Sequence, residues 1–407
     1  MKNKKNSIKR NKKRGTYLDY AATTPIDAIV LKKMMPYLKN EYGNPSSLHL
    51  FGQKTRAAIE DAREKVARFL NCLPSEIIFT GSATESDNLA IRGLIKSLQR
   101  TKRTGEKIHI ITTTIEHKAV LETCADLEKR GVKITYLPVG PDGIINLDDL
   151  KSEITPETDL VSIMYANNEV GSVQPIEKIG GIITEENKHK EHKIYFHTDA
   201  VQAANWLNCD VKELGVDLLT LSGHKIYGPK GIGVLYLKDK TPILPIITGG
   251  SHEWGLRPGT ENVANIVGMG EAIGKIQSTK REIQNKIEKL RNKLIKNVLK
   301  INGARLNGTN EKEKRIVNIV NFSFMGVEGE SLVISLSEEG IGVSTGSACT
   351  SHNLMPSHVI MAMGSSELMA HSSLRISLGK YTTDREIDYF LRVLPKIINK
   401  LRKISGR

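Results

Sequence analysis

Short apolar runs alternate with amphipathic stretches along most of the chain. Residues 53–70 set Ala58, Ala62, Val66 and Phe69 near helical spacing, which predicts a helix with one apolar face. Apolar runs follow at 76–80, 108–112, 133–137, 160–165, 194–199, 217–221 and 231–237. Runs of this length between helical patterns predict strands buried on both faces, hence an α/β fold with a mixed, mostly parallel sheet flanked by helices. Ile283, Ile287, Leu290, Leu294 and Val298 predict a long amphipathic helix over about 279–300. Beyond it a second, smaller α/β unit is expected, with strands near 317–323 and 374–378. Thr383-Asp384-Arg385-Glu386 reads as the capping box of a closing helix from about 384. The division expected is a basic tail over 1–16, a large domain over 17–275 and a small C-terminal domain over 276–407. The stretch 184–193 (TEENKHKEHK) reads as a charged loop.

Composition narrows the class. The chain has 407 residues, 39% apolar and 26% charged, the balance of a globular protein rather than a disordered or collagen-like one. No run of about 18 apolar residues occurs, so no transmembrane helix is expected. The net charge is +14, of which residues 1–14 (MKNKKNSIKRNKKR) supply eight, leaving a mild +6 for the rest. That tail reads as a solvated extension, with a nucleic-acid contact as the alternative. It lacks the apolar stretch of a signal peptide, and its Lys and Asn content makes a poor presequence helix. Cys72, Cys124, Cys209 and Cys349 form no CxxC and no regular spacing, which argues against a zinc ribbon and a disulfide framework. A reducing, cytoplasmic compartment is expected, with a mitochondrial-type organelle as the alternative.

Ligands of open α/β sheets bind beyond the carboxyl ends of the strands. Gly81-Ser82-Ala83-Thr84 follows the run at 76–80 and opens a helical pattern, a start suited to an anion. Ala166-Asn167-Asn168 follows 160–165, Asp199 ends 194–199, and Ser222-Gly223-His224-Lys225 follows 217–221. Phosphate donors, amides, one carboxylate and one lysine thus fall on one edge. A Schiff-base lysine, a carboxylate for a pyridinium nitrogen and a helix end for a phosphate describe pyridoxal phosphate binding.

The segments LDYAATTP (18–25), EYGNPSS (41–47), IIFTGSATESDNLAI (77–91), IEHKAV (115–120), NNEVGSVQPI (167–176), HTDAVQ (197–202), SGHKIYGPKGIGVLY (222–236), RPGTEN (257–262), STGSACTS (344–351) and AHSSLRISLG (370–379) carry a resemblance. In them the chain resembles the cysteine desulfurases of the NifS/IscS type, class V aminotransferases within the fold-type I pyridoxal phosphate enzymes. The resemblance implies that Lys225 holds the cofactor covalently and moves the substrate proton. It pairs Asp199 with the ring nitrogen, sets Gln202 at the ring oxygen and stacks His117 on the ring. Ala83, Thr84, Ser222 and His224 take the phosphate, and Thr260 reaches the cofactor of a second copy in a homodimer. Asn168 and Arg375 hold the substrate carboxylate. Cys349 is the implied nucleophile, taking sulfur from L-cysteine for an iron–sulfur scaffold protein or another acceptor such as a thiolation relay. No resident metal is implied, only transient ligation of a passing cluster by Cys349.

The residues themselves single out the same thiol. Cys349 lies in Ser344–Ser351, a run of small residues without apolar periodicity, which reads as a loop. Cys72 and Cys124 lie in helical contexts. Selenocysteine lyase and aminotransferase activities remain alternatives within the same chemistry, and a non-enzymatic role would predict loss of Lys225, Asp199 or Cys349. In Gly249-Gly250-Ser251-His252-Glu253 the family more often has Gly and Gln where Ser and His stand, and Trp254 and Pro258 also depart from the common family wording. His189, His192 and His197, and His352 and His358 near Cys349, raise metal binding without a tight ligand spacing.

Overall fold

The computed structural model describes residues 15–101, 107–346 and 355–404. The described chain opens with strand β1 (Thr16–Tyr17). Seven strands then build the central sheet: β2 (Ile77–Thr80), β3 (His109–Thr113), β4 (Lys133–Leu137), β5 (Thr158–Ser162), β6 (Tyr195–Asp199), β7 (Leu218–Ser222) and β8 (Gly233–Leu237). Their order is β2-β8-β7-β6-β5-β3-β4. Only β8 runs against its neighbours, so the other six direct their carboxyl ends to one edge. Every residue of β3, β5 and β7 is buried, as expected for strands covered by helices on both faces.

The small unit holds β9 (Ala304–Asn307), β10 (Ile319–Phe324), β11 (Ile341–Gly342) and β12 (Ser373–Ser377). Strands β12, β10 and β9 form an antiparallel sheet, and β1 pairs with β11 in parallel. The N-terminal strand therefore belongs with the C-terminal elements, although the pattern grouped residue 17 with the large domain. The Leu18 N–H donates to the Gly342 carbonyl at 2.8 Å, and the Leu18 carbonyl accepts from the Ser377 N–H at 2.8 Å. The closing helix, Asp384–Ile404, starts on its capping box. Thr383 N–H donates to Glu386 at 2.8 Å, and Glu386 N–H donates to Thr383 Oγ1 at 3.3 Å.

Two differences from the sequence pattern have physical causes. Strand β5 starts at Thr158 rather than 160, because two buried polar residues begin it. Thr158 Oγ1 lies 2.9 Å from His109 Nδ1, and Asp159 accepts from the His109 N–H at 3.1 Å. The long helix spans Val263–Val298, so position 275 lies inside one continuous helix. Its first half is rich in glycine and buried on several sides, which hides the amphipathic signal. Those glycines permit close packing: a Cβ at Gly270 would sit 2.8 Å from Ala62 Cα, and one at Gly268 2.7 Å from Met34 Sδ. Gly270→Val is accordingly expected to destabilise the fold by about 1–3 kcal/mol through overpacking. A lower urea midpoint with an unchanged denaturant slope checks it.

Candidate active site

The edge where the six strands end opens into a cavity of about 440 Å³. Each wall comes from a different strand end. Beyond β2, Ser82, Ala83 and Thr84 start the helix Ala83–Thr101. The first amides of a helix have no intrahelical partner and suit an anion. Gly233 on β8 lets this turn approach, since a Cβ there would lie 2.5 Å from the Ser82 carbonyl. Beyond β3, His117 caps the helix Lys118–Lys129. Its Nδ1 accepts from the Ala119 N–H at 3.1 Å, which leaves the proton of the neutral ring on Nε2. Beyond β5 come Met164, Ala166 and Asn168; β6 ends in Asp199, followed by Val201 and Gln202; and β7 leads through Ser222 to His224 and Lys225.

The chain at 21–23 forms the facing wall. Lys225 Nζ donates to the carbonyls of Ala21 and Ala22, each at 2.7 Å. Gln202 Nε2 donates to the Ala21 carbonyl at 3.1 Å, and His224 Nδ1 lies 3.1 Å from Thr23 Oγ1. Arg375 enters from β12 and is 2% exposed. Its Nη1 donates to the Asn168 carbonyl and its Nη2 to Asp19, both at 2.9 Å, while its Nε has no hydrogen-bond partner.

Burial sets the electrostatics. It raises the Asp199 carboxyl above its ordinary range, opposed by His117, the Val201 N–H at 2.9 Å and Lys225. It lowers His117, which Asp199 opposes and Lys225 reinforces. His224 falls to about 4 through burial and then the nearby Lys225 charge, so its ring is neutral at pH 7. These groups fit pyridoxal phosphate. A cationic ring nitrogen is the partner that offsets the cost of a buried Asp199 carboxylate, and the helix end beyond β2 suits the phosphate.

Ten residues expected at the site line this one cavity: Ala83, Thr84, His117, Asn168, Asp199, Gln202, Ser222, His224, Lys225 and Arg375. Thr260 does not. It is exposed and lines a neighbouring cavity of about 220 Å³, which shares Gly231 and Ile232 with the first. Cys349 and His352 lie outside the described residues. Burial pushes the thiols of Cys72, Cys124 and Cys209 each up to about 12, so all three stay protonated and poorly nucleophilic at neutral pH. His197 is fully buried and driven down to about 3, its ring set between Ser162 Oγ at 2.9 Å and Thr220 Oγ1 at 3.2 Å. His189 is exposed, far from that environment in character.

Other groups at the site escaped the sequence reading. Asp87 lines the cavity and is buried, which with the nearby Asp199 charge holds its carboxyl well above the ordinary range. Its position one turn after Ala83 was the available signal. Trp254, one of the departures, gains a role beside Glu253. Glu253 pairs with buried Arg63 at 2.7 Å and accepts from the Phe79 N–H at 2.8 Å, while Trp254 covers the same guanidinium at 4.5 Å. This cluster braces β2, the strand that leads into the turn Ser82–Thr84.

Glu116, beside His117, is pushed up to about 8 by burial, against bonds from Thr113 Oγ1 at 2.7 Å and the Met164 N–H at 2.9 Å. Below the ordinary carboxyl range both folded and unfolded chains hold this proton, so stability is fully present there. It falls as pH rises toward about 8, because only the folded state keeps the proton in that window. Glu116→Gln removes the titration. The variant is expected to gain stability relative to the parent between pH 5 and about 8. Urea midpoints of both proteins across this range check the sign.

Comparison with known proteins places this geometry in a family. The aminotransferase class-V family profile matches residues 16–390. The chain is 50% identical over 395 residues to a cysteine desulfurase IscS of Dictyoglomus turgidum, covering 97% of each protein. A solved NifS-like protein superposes with a TM-score of 0.87 at 39% identity, over 95% of this chain and all of that one. A structure titled SspA in complex with cysteine does so with a TM-score of 0.77 at 39% identity, over 90% of this chain and all of that one. The chain belongs to the class-V aminotransferase family, among the cysteine desulfurases of NifS/IscS type.

Proposed function

We propose that this protein is a pyridoxal phosphate-dependent cysteine desulfurase that converts L-cysteine to L-alanine and leaves the sulfur on Cys349 as a persulfide. The observation that carries this reading is Arg375: a buried guanidinium with an unpartnered Nε, in the same cavity as Lys225 and Asp199. A buried arginine with a spare donor recognises a carboxylate, so the cavity suits an amino acid beside the cofactor. Lys225, Asp199, His117, Gln202 and the turn Ser82–Thr84 are the residues that hold pyridoxal phosphate. When bound, the group supplies a conjugated ring that delocalises the electron pair left by loss of the substrate α-proton.

The chain's own residues perform the rest. Arg375 and Asn168 orient the carboxylate. Lys225 takes the α-proton at its Nζ, and Asp199 keeps the ring nitrogen protonated. His117, neutral with its proton on Nε2, would hold or return a proton during the reaction. Cys349 thiolate attacks the substrate sulfur; a sulfur–sulfur bond forms as the carbon–sulfur bond breaks, and its electron pair returns to the carbon skeleton. Overall, L-cysteine and the Cys349 thiol give L-alanine and the Cys349 persulfide, with atoms balanced.

A homodimer completes the reading, with Thr260 serving the partner's phosphate. Its support is that Thr260 borders a cavity adjoining the one around Lys225, and that Tyr42, Leu48, Leu50 and Phe51 present exposed apolar surface. The persulfide then passes to an iron–sulfur scaffold or another acceptor, in a reducing compartment of cytoplasmic type. Among the described residues no helix is long and apolar enough to cross a membrane.

The test is alanine and sulfide release from L-cysteine under a thiol reductant. Equal release by the parent and its loss in Cys349→Ala support the reading; alanine production that survives the substitution overturns it. Selenocysteine as competing substrate separates a lyase of that specificity. Arg375→Lys keeps the charge but not the planar fork, and is expected to raise KM about 10- to 100-fold. Steady-state kinetics at saturating cofactor measure it.

A further inference from the structure

Glu169 follows Asn168 in the turn beyond β5, and it is buried. Its carboxylate faces residues on both sides of the segment that carries Cys349. On one side, Ser357 Oγ donates to Glu169 Oε2 at 2.5 Å. The same hydroxyl accepts from the Ile360 N–H at 3.2 Å, capping the helix His358–Ala362. On the other side, a methyl group built on Gly346 would overlap Glu169 Oε2 and lie 3.2 Å from Ser357 Cβ. Gly346 and Ser357 thus meet at one carboxylate, although ten residues separate them in the chain. Gly346 does not have a left-handed backbone, so its glycine serves the close approach and not a turn conformation.

The other side of Glu169 is equally fixed. Its N–H donates to Asn167 Oδ1 at 2.8 Å, and its carbonyl accepts from Asn321 Nδ2 on β10 at 3.2 Å. The adjacent Asn168 carbonyl accepts from Arg375 Nη1. A second tie lies nearby, where His358 Nε2 meets the Glu116 carbonyl at 3.1 Å, directly before His117.

We propose that Glu169 is a positioning residue for sulfur transfer: bonded to Ser357 and packed against Gly346, it holds both beside the turn that bears Asn168, and so sets where Cys349 meets the substrate sulfur. The inference rests on Cys349 as the sulfur acceptor. Gly346 and Ser357, on either side of the Cys349 segment, are thereby held beside the turn that lines the cavity, and holding a reacting group near its partner raises its effective concentration.

The experiment uses the pyridoxal phosphate-loaded enzyme. Glu169→Ala is expected to slow single-turnover Cys349 persulfide formation about 10- to 100-fold, as misplacement of a reacting group does, with KM for L-cysteine nearly unchanged. Glu169→Gln keeps an acceptor for Ser357 and restores most of the rate. Iodoacetamide alkylation of Cys349 without substrate, followed by mass spectrometry, should change in rate in Glu169→Ala, a readout independent of turnover. Gly346→Ala should slow the parent but add little in the Glu169→Ala background, where the overlap is gone. Should Glu169→Ala fail to fold, Ser357→Ala removes one tie and is expected to slow the same step. Independent, multiplying effects of Gly346→Ala and Glu169→Ala overturn the proposal, as do unchanged rates or an equal loss in KM and kcat with release of cofactor. Cys349→Ala separates the two readings. Full turnover without Cys349 overturns the sulfur-acceptor reading itself, whereas its loss beside an unaffected Glu169→Ala overturns only the positioning role.

Discussion

The carbonyls of Ala21 and Ala22 are each 2.7 Å from the Lys225 ammonium, and the site is organised around that contact. Residues 18–24 cross between the two sheets as irregular, largely buried chain, where each buried backbone polar group needs a partner. Partners come from both sides. Ser377 Oγ accepts from the Ala21 N–H at 2.8 Å on the small-sheet side, while on the large-sheet side the Thr24 N–H donates to the His224 carbonyl at 2.9 Å and the Tyr227 N–H to Thr24 Oγ1 at 2.9 Å. The strap therefore holds the lysine, the end of β7 and strand β12 in one frame. Arg375 lies on β12, two residues before Ser377, so Arg375 and Lys225 inherit their separation from the same strap.

Around that frame the sheet edge concentrates carboxyl groups in low dielectric. Asp199, Asp87 and Glu116 are all buried, and each is raised chiefly by burial. They are not equivalent. Asp199 has His117 and Lys225 opposing the shift, whereas Glu116 and Asp87 have Asp199 reinforcing theirs. The negative charge is thus favoured on Asp199, the one of the three that ends a strand and lines the cavity beside Lys225. The neighbours that share its burial take up protons and leave it a clear field.

The strands and their ends were legible because parallel strands buried on both faces read as continuous apolar runs, and the ligating residues fall directly after them. The first half of the helix Val263–Val298 was not, since Gly268 and Gly270 serve close packing and weaken the helical pattern. Strand β9, ARLN, alternates too weakly to declare itself. Nor can spacing show that β1 pairs with β11 more than 300 residues later, since that pairing is a tertiary choice. At the site, Lys225 and Asp199 announce themselves by position, but Asp87 and Glu116 gain importance only through burial. Glu253 and Trp254 gain their role only where the fold brings them to Arg63.

The division of labour between sheet and thiol follows from the same physics. Groups that grip a cofactor and a carboxylate gain from rigid strand ends, because each displaced ångström weakens several bonds at once. A sulfur acceptor placed there would share the burial that drives Cys72, Cys124 and Cys209 up to about 12, and would hold its proton. A reactive thiol needs a different environment, yet it has to reach the same substrate. Glu169 reconciles these demands. Its backbone belongs to the turn that carries Asn168, its carbonyl is bonded from β10, and its carboxylate meets Gly346 and Ser357. The turn that carries Asn168 and the residues on either side of the Cys349 segment thereby share one anchor.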